Sequence, residues 1–206
     1  MFSEIKWRFR AAAVAGSALI VIHAFQWSII DRITPFLYIT LASAVWWGII
    51  GVAIASLTCL TKIKAIGWRA FVPMTVVVAS VLIVMFVPFT SLWLDFDYWR
   101  YKEVRLEIVE RILSGDLAAN VDYNPKLIAL DGGYPLVSMG GNEVIVERHE
   151  GSAYVLFFTF RGVLDNYSGF LYVPDGGSPT LFSDLHEEQF TQIEPLEENW
   201  FFVSHR

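Results

Sequence analysis

The residues with most scope for chemistry are four histidines, 21 carboxylates and one cysteine. Their spacing decides what they can do. His186-Glu187 begins a zinc-protease helix motif, but Phe190 stands where the second imidazole would have to be. The glycine pairs at 132–133, 140–141 and 176–177 lack the Lys-Ser/Thr that completes a phosphate loop. No serine sits in a nucleophile elbow. His149, His186 and His205 are the candidate bases of the second half, and none lies near a plausible nucleophile in sequence. No catalytic residue, metal site or cofactor is therefore expected, and an envelope hydrolase built on these histidines ranks last among the functions considered.

Three polar groupings remain. Glu187, Glu188, Glu194, Glu197 and Glu198, with Asp184, form an acidic stretch. It reads either as a solvated face or as a docking surface for a basic protein; a calcium loop would need an alternating spacing that is absent. Arg161, Asp165, Asn166 and Tyr167 fall in a segment, 161–169, between two apolar runs. Loops at sheet ends often carry binding, although the same residues also suit a plain connector. His23 and Gln26 lie three apart in an uncharged run, on one helix face. Polar groups in lipid mark function or pairing. With no acidic partner in any such run, interhelical hydrogen bonding is favoured over a proton relay. Trp46 and Trp47 are expected to pack inside the helix bundle.

The elements that must position these residues divide into two kinds. Residues 1–94 carry seven Lys/Arg against two Asp/Glu, and residues 95–206 carry eight against nineteen. A basic, apolar half joined to an acidic half reads as a membrane part plus a water-exposed part. The acidic half would repel phosphates, so nucleic acid is not an expected partner. Three uncharged apolar runs, 11–30, 36–60 and 71–94, each supply the roughly 20 residues that cross about 30 Å of hydrocarbon. The first is too long for a cleaved leader.

Basic residues set the direction. Lys6, Arg8 and Arg10 precede the first run and Lys62, Lys64 and Arg69 separate the second from the third, whereas 31–35 holds only Arg32. Lys and Arg collect on the cytoplasmic side, so three crossings put 95–206 outside. Trp7 and Trp68 then mark the inner interface, and Trp27, Tyr38 and Trp93 the outer one. Small residues four apart (Ala12/Gly16, Ala44/Gly48, Gly51/Ala55) suit close helix packing, in one bundle or in a homo-oligomer. Pro88 predicts a kink over 84–88. Cys59 reads as a small apolar filler.

In the second half, Tyr101, Val104, Ile108 and Ile112 recur at helical spacing over 95–113, with Gly115 placed to stop the helix. Beyond it the pattern changes to strands at about 127–130, 143–148, 153–161, 169–173 and 200–204. His149-Glu150-Gly151-Ser152 is a hairpin turn, and 182–194 reads as loop or short helix. The fold class expected is three transmembrane helices (domain 1–94) followed by an α+β extracytoplasmic domain (95–206), an amphipathic helix on an antiparallel sheet of about four or five strands. The function expected is non-enzymatic: an integral protein of the cytoplasmic membrane whose partners are the lipid bilayer and, through the outer domain, another protein such as an envelope-complex component or an incoming toxin. The alternative is a small transporter or channel accessory with a polar site at His23, Gln26, Trp46 and Trp47.

Overall fold

The structure is a computed structural model that describes residues 2–61, 63–162, 166–182 and 190–205. The chain divides into two compact units, Met1–Trp93 and Leu94–Arg206.

The first unit is helical. It comprises α1 (Phe2–Ala24), α2 (Gln26–Ile33), α3 (Pro35–Leu60), a single turn α4 (Ile63–Ile66), a 3₁₀ turn (Gly67–Phe71) and α5 (Val72–Phe86), with the first residues of α6 (Phe89–Ser114). Among the described residues, two helices are long and apolar enough to cross a membrane, Pro35–Leu60 and Gly67–Phe86. A third crossing depends on counting Lys6–Ala24 and Gln26–Ile33 as one, and these meet at a 75° bend. The first apolar run is thus broken at Phe25 rather than straight. No Pro or Gly marks the break. Its reward is polar: past the bend, Gln26 Nε2 donates to Thr90 Oγ1 at 2.8 Å and Tyr38 Oη donates to Gln26 Oε1 at 3.3 Å. In α2, Asp31 and Arg32 are exposed.

The bundle core joins Ala12 and Leu19 of α1, Ile49 of α3 and Val77 of α5, all essentially buried. Gly16 permits a close approach. A Cβ there would lie 2.2 Å from Ser80 Oγ on α5, so α1 and α5 meet backbone to side chain as small residues allow in lipid. The glycines of α3, Gly48 and Gly51, face open space instead. Trp46 packs against the bundle core as expected. Trp47 does not: it is 72% exposed, one residue on, 100° around the helix. Pro88 ends α5 outright, because Val87 is extended (φ −82°, ψ 120°). The third apolar run therefore stops at Phe86, and residues 89–94, expected in that run, open α6.

Among its described residues the second unit holds one α-helix, α6, and a six-stranded antiparallel sheet: β1 (Leu127–Ala129), β2 (Glu143–His149), β3 (Ser152–Arg161), β4 (Tyr167–Tyr172), β5 (Gln192–Glu197) and β6 (Trp200–His205), in the order β1-β2-β3-β4-β6-β5. The five strands read from the sequence are present with shifted ends. The sixth, β5, corrects the expectation of four or five strands and, over 192–194, that of loop or short helix; residues 183–189 of that expectation lie outside the described residues. It pairs with β6, Ile193 opposite Val203, and is an edge strand. Edges tolerate a proline that would break a central ladder, and Pro195 sits there.

Alternation sorts the side chains onto two faces. Val144, Val155, Phe157, Phe170 and Trp200 meet Tyr98, Ile108, Val109 and Ile112 of α6 in one core. Ile145, Leu156, Phe158, Leu171 and Val203 build a second core with Phe182. β3 is buried on both faces from Ala153 to Thr159, which explains its unbroken apolar run. Gly115 (φ +86°) closes α6. Glu150 and Gly151, at φ +50° and +85°, form the two-residue β2–β3 turn.

Candidate recognition cleft

β4 and β6 pair with Tyr172 opposite Trp200, so the chain leaving β4 runs beside the turn that leads into β6. Asn199, at φ +67°, fastens the two. Its Nδ2 donates to Val173 O and to Asp175 Oδ1, both at 2.8 Å, and its carbonyl accepts the Val173 amide at 2.8 Å. The Gly177 amide closes the 174–177 turn onto Pro174 O at 2.9 Å. Gly177 must be glycine for space: a Cβ would stand 2.5 Å from Tyr154 Oη and 2.9 Å from Pro174 O.

Between these turns lies an open cleft of about 280 Å³, lined by residues that include Pro174, Asp175, Gly176, Glu198, Asn199 and Phe201. Asp175 and Glu198 are exposed, and one Asp175 oxygen is held by Asn199. Burial, then the Asp175 charge, pushes the Tyr172 hydroxyl above its ordinary range. Two carboxylates on a shallow, partly apolar hollow suit an ammonium or guanidinium head rather than an anion.

The residues singled out in the sequence are dispersed. Glu198 borders the cleft. Glu194 is exposed on edge strand β5. Glu197 turns the other way and ties β5 to α6: Lys102 Nζ lies 2.5 Å from Glu197 Oε2 and 5.1 Å from the Trp99 ring centroid. Burial, with Glu197 beside it, drives the Tyr98 hydroxyl far above its ordinary range. Arg161 ends β3 and pairs with Glu143 at 2.7 Å. Asn166 O accepts the Gly162 amide at 2.7 Å. Tyr167 is interior, its ring stacked on His205 at 5.5 Å and edge-on to Phe158. Asp165, Asp184, His186, Glu187 and Glu188 lie outside the described residues.

The described histidines of this unit stand at opposite ends of the sheet. His149 is at the Ser152 end of β3 and His205, opposite Tyr167, at the Arg161 end. Nine residues of strand separate the ends by about 30 Å. His149 Nε2 lies 3.4 Å from Glu147 Oε1, which Lys126 Nζ also approaches at 3.3 Å. Among the described residues no group of His, Cys, Asp or Glu could hold a metal ion.

In the helical unit, the bend at Phe25 places His23 and Gln26 on two different helices, α1 and α2, and both meet α3. Gln26 is spent on Tyr38 and Thr90, and His23 is edge-on to Trp46 with centroids 6.0 Å apart. Arg8 donates to Ala55 O at 2.7 Å and also bonds Thr58, with Cys59 Sγ at 3.5 Å.

One polar pair escaped the sequence reading. Arg105 and Asp97 sit inside the α6–sheet core, side chains 1% and 9% exposed and 2.5 Å apart. Arg105 Nε and Nη2 donate to Val137 O at 3.2 and 3.0 Å, Nη1 donates to Asp97 O at 3.1 Å, and the guanidinium lies 4.7 Å from the Phe170 centroid. Burial raises the Asp97 carboxyl despite the opposing pull of Arg105, and burial lowers Arg105. The available signal was phase: residues 97, 101, 105, 108 and 112 share one helix face, so a charge at 105 had to be either buried or a break in the stripe.

No known protein family, curated protein or solved structure matches the chain.

Proposed function

We propose that this protein is a three-span protein of the cytoplasmic membrane that presents its acidic sheet domain outside, where the domain recognises a basic group on another protein. The observation carrying the recognition reading is the cleft of Asp175 and Glu198, a preformed hollow whose fixed charges favour a cation. The membrane reading draws support from the two apolar helices and the bent pair. Sidedness rests on the distribution of Lys and Arg, since Lys6, Arg8, Arg10, Lys64 and Arg69 flank the ends assigned to the inside. The net charge of −11 over 95–206 also favours attraction of basic partners at long range. His23 and Gln26 are read as bundle-forming residues, because Gln26 already bridges two helices.

The test is capture from cells that normally make the protein, in mild detergent with reversible crosslinking. The reading expects one stoichiometric partner whose recovery falls with salt and is lost in Glu198→Lys, with Glu194→Lys weakening it less. Equal recovery by wild type and Glu198→Lys, or no stoichiometric partner, would overturn it.

A further inference from the structure

Along α6 the outward face is apolar first, with exposed Asp95 at its edge, and acidic further on. Leu92, Phe96 and Trp99, at i, i+4 and i+7, are 53%, 61% and 62% exposed. Continuing the same face, Glu103, Glu107 and Glu110 are exposed carboxylates. The opposite face of the helix supplies Ile108, Val109 and Ile112 to the sheet core, to which Leu92, Phe96 and Trp99 do not belong. Bulky apolar side chains this exposed, in a row, mark a surface that something covers.

What covers them is indicated by the chain itself. α6 begins three residues after the end of the apolar helix Gly67–Phe86. Trp and Phe with a neighbouring Arg are the residues that settle at the junction of acyl chains and headgroups. Arg100 is exposed beside this face, its guanidinium 5.7 Å from the Phe96 centroid and 5.4 Å from that of Tyr101. Lys102, by contrast, is committed to Glu197. From Leu92 to Trp99 the helix rises about 10 Å. The headgroup layer on each side of a bilayer is roughly 5–8 Å deep, so an inclined helix keeps all three side chains within it. Glu103 follows a turn later and belongs in water.

We propose that Leu92, Phe96 and Trp99 form a lipid-docking face, seated in the headgroup layer with Arg100 against lipid phosphate, and that the change at Glu103 marks where α6 leaves the bilayer. This rests on the membrane reading of the apolar helices, and its test separates the two. In a Cys59→Ser background of the full chain, an environment-sensitive fluorophore is attached at Phe96→Cys, Trp99→Cys, Glu110→Cys or Ile54→Cys. Ile54 is an outward residue of α3, 60% exposed. Each protein is reconstituted in vesicles of phosphatidylcholine and phosphatidylglycerol.

The expected result is that probes at 96 and 99 are at least about threefold less quenched by iodide than the probe at 110, and are quenched by spin labels near the headgroup. Arg100→Gln reduces that shielding, and so do vesicles without phosphatidylglycerol. If the probe at 54 is quenched by acyl-chain labels while those at 96 and 99 are as open to iodide as 110, the docking face is wrong and the membrane reading stands. Shielding from iodide without quenching by lipid labels means a second copy or another protein covers the face, and also overturns the proposal. A probe at 54 untouched by acyl-chain labels takes both readings down.

Discussion

Arg105 and Asp97 offer the sharpest perturbation of the sheet domain, because both charges are almost removed from water and each is the other's compensation. Asp97→Asn leaves a guanidinium, 1% exposed, with no counter-charge. Breaking one side of a buried pair costs about 3–5 kcal/mol, and the retained hydrogen bonds to Val137 O place this variant near 3. Arg105→Met strands the carboxylate and also removes both donors to Val137 O, so its loss is about 4 kcal/mol. Asp97→Leu combined with Arg105→Met removes both charges and leaves chiefly the unpaired carbonyl, a loss of about 2 kcal/mol. The double variant is therefore more stable than either single one, since the surrounding Phe157 and Phe170 rings accept apolar neighbours. Amide hydrogen exchange in β3 of the full chain reads the opening of this unit alone. At about 1.4 kcal/mol per decade, Asp97→Asn accelerates exchange by roughly two decades, and the double variant by less. Exchange unchanged in all three variants, or losses that simply add in the double, would refute the view that these charges depend on each other.

Other consequences follow from single contacts. Gly16→Val drives a side chain into Ser80 and separates α1 from α5, lowering the midpoint of thermal unfolding in detergent by the equivalent of about 1–3 kcal/mol; Gly48→Ala, which meets nothing, leaves it unchanged. Glu150→Gly relieves a positive φ in the β2–β3 turn and stabilises the sheet domain by a few tenths of a kcal/mol, about 0.5, measurable as slower β3 exchange. The Tyr98 hydroxyl, with its folded pKa raised, contributes stability that is complete below pH 10.0, the ordinary tyrosine value, and lost as pH climbs above it. Tyr98→Phe should flatten that alkaline decline in the same exchange assay.

What the sequence disclosed depended on whether local pattern and tertiary environment agreed. β3 was legible because a strand buried on both faces must be apolar throughout. The β2–β3 hairpin was legible because Gly151 supplies the backbone freedom a two-residue turn demands, with Glu150 held at positive φ beside it. β5 was not: Gln192–Glu197 holds Pro195 and three polar residues, a composition only an edge position tolerates, and edges arise from the neighbouring strand β6 rather than from local sequence. The break at Phe25 was hidden for a similar reason. It is repaid by Gln26 reaching Thr90, 64 residues away, which no local window contains. Of the candidate site residues, Glu198 was nominated by charge alone, whereas the cleft it borders exists because Asn199 joins two turns distant in the chain. Tyr167 looked like a loop residue because polar neighbours surround it in sequence, but strand alternation turns its ring into the second core.

Everything about partners presupposes which side of the bilayer the sheet domain occupies. A Cys59→Ser protein carrying Glu198→Cys, or separately Lys64→Cys, treated in intact cells with a membrane-impermeant maleimide, measures this directly. With the sheet domain outside, labelling is rapid at 198 and occurs at 64 only after the membrane is opened. Labelling at 64 in intact cells with 198 protected would contradict it.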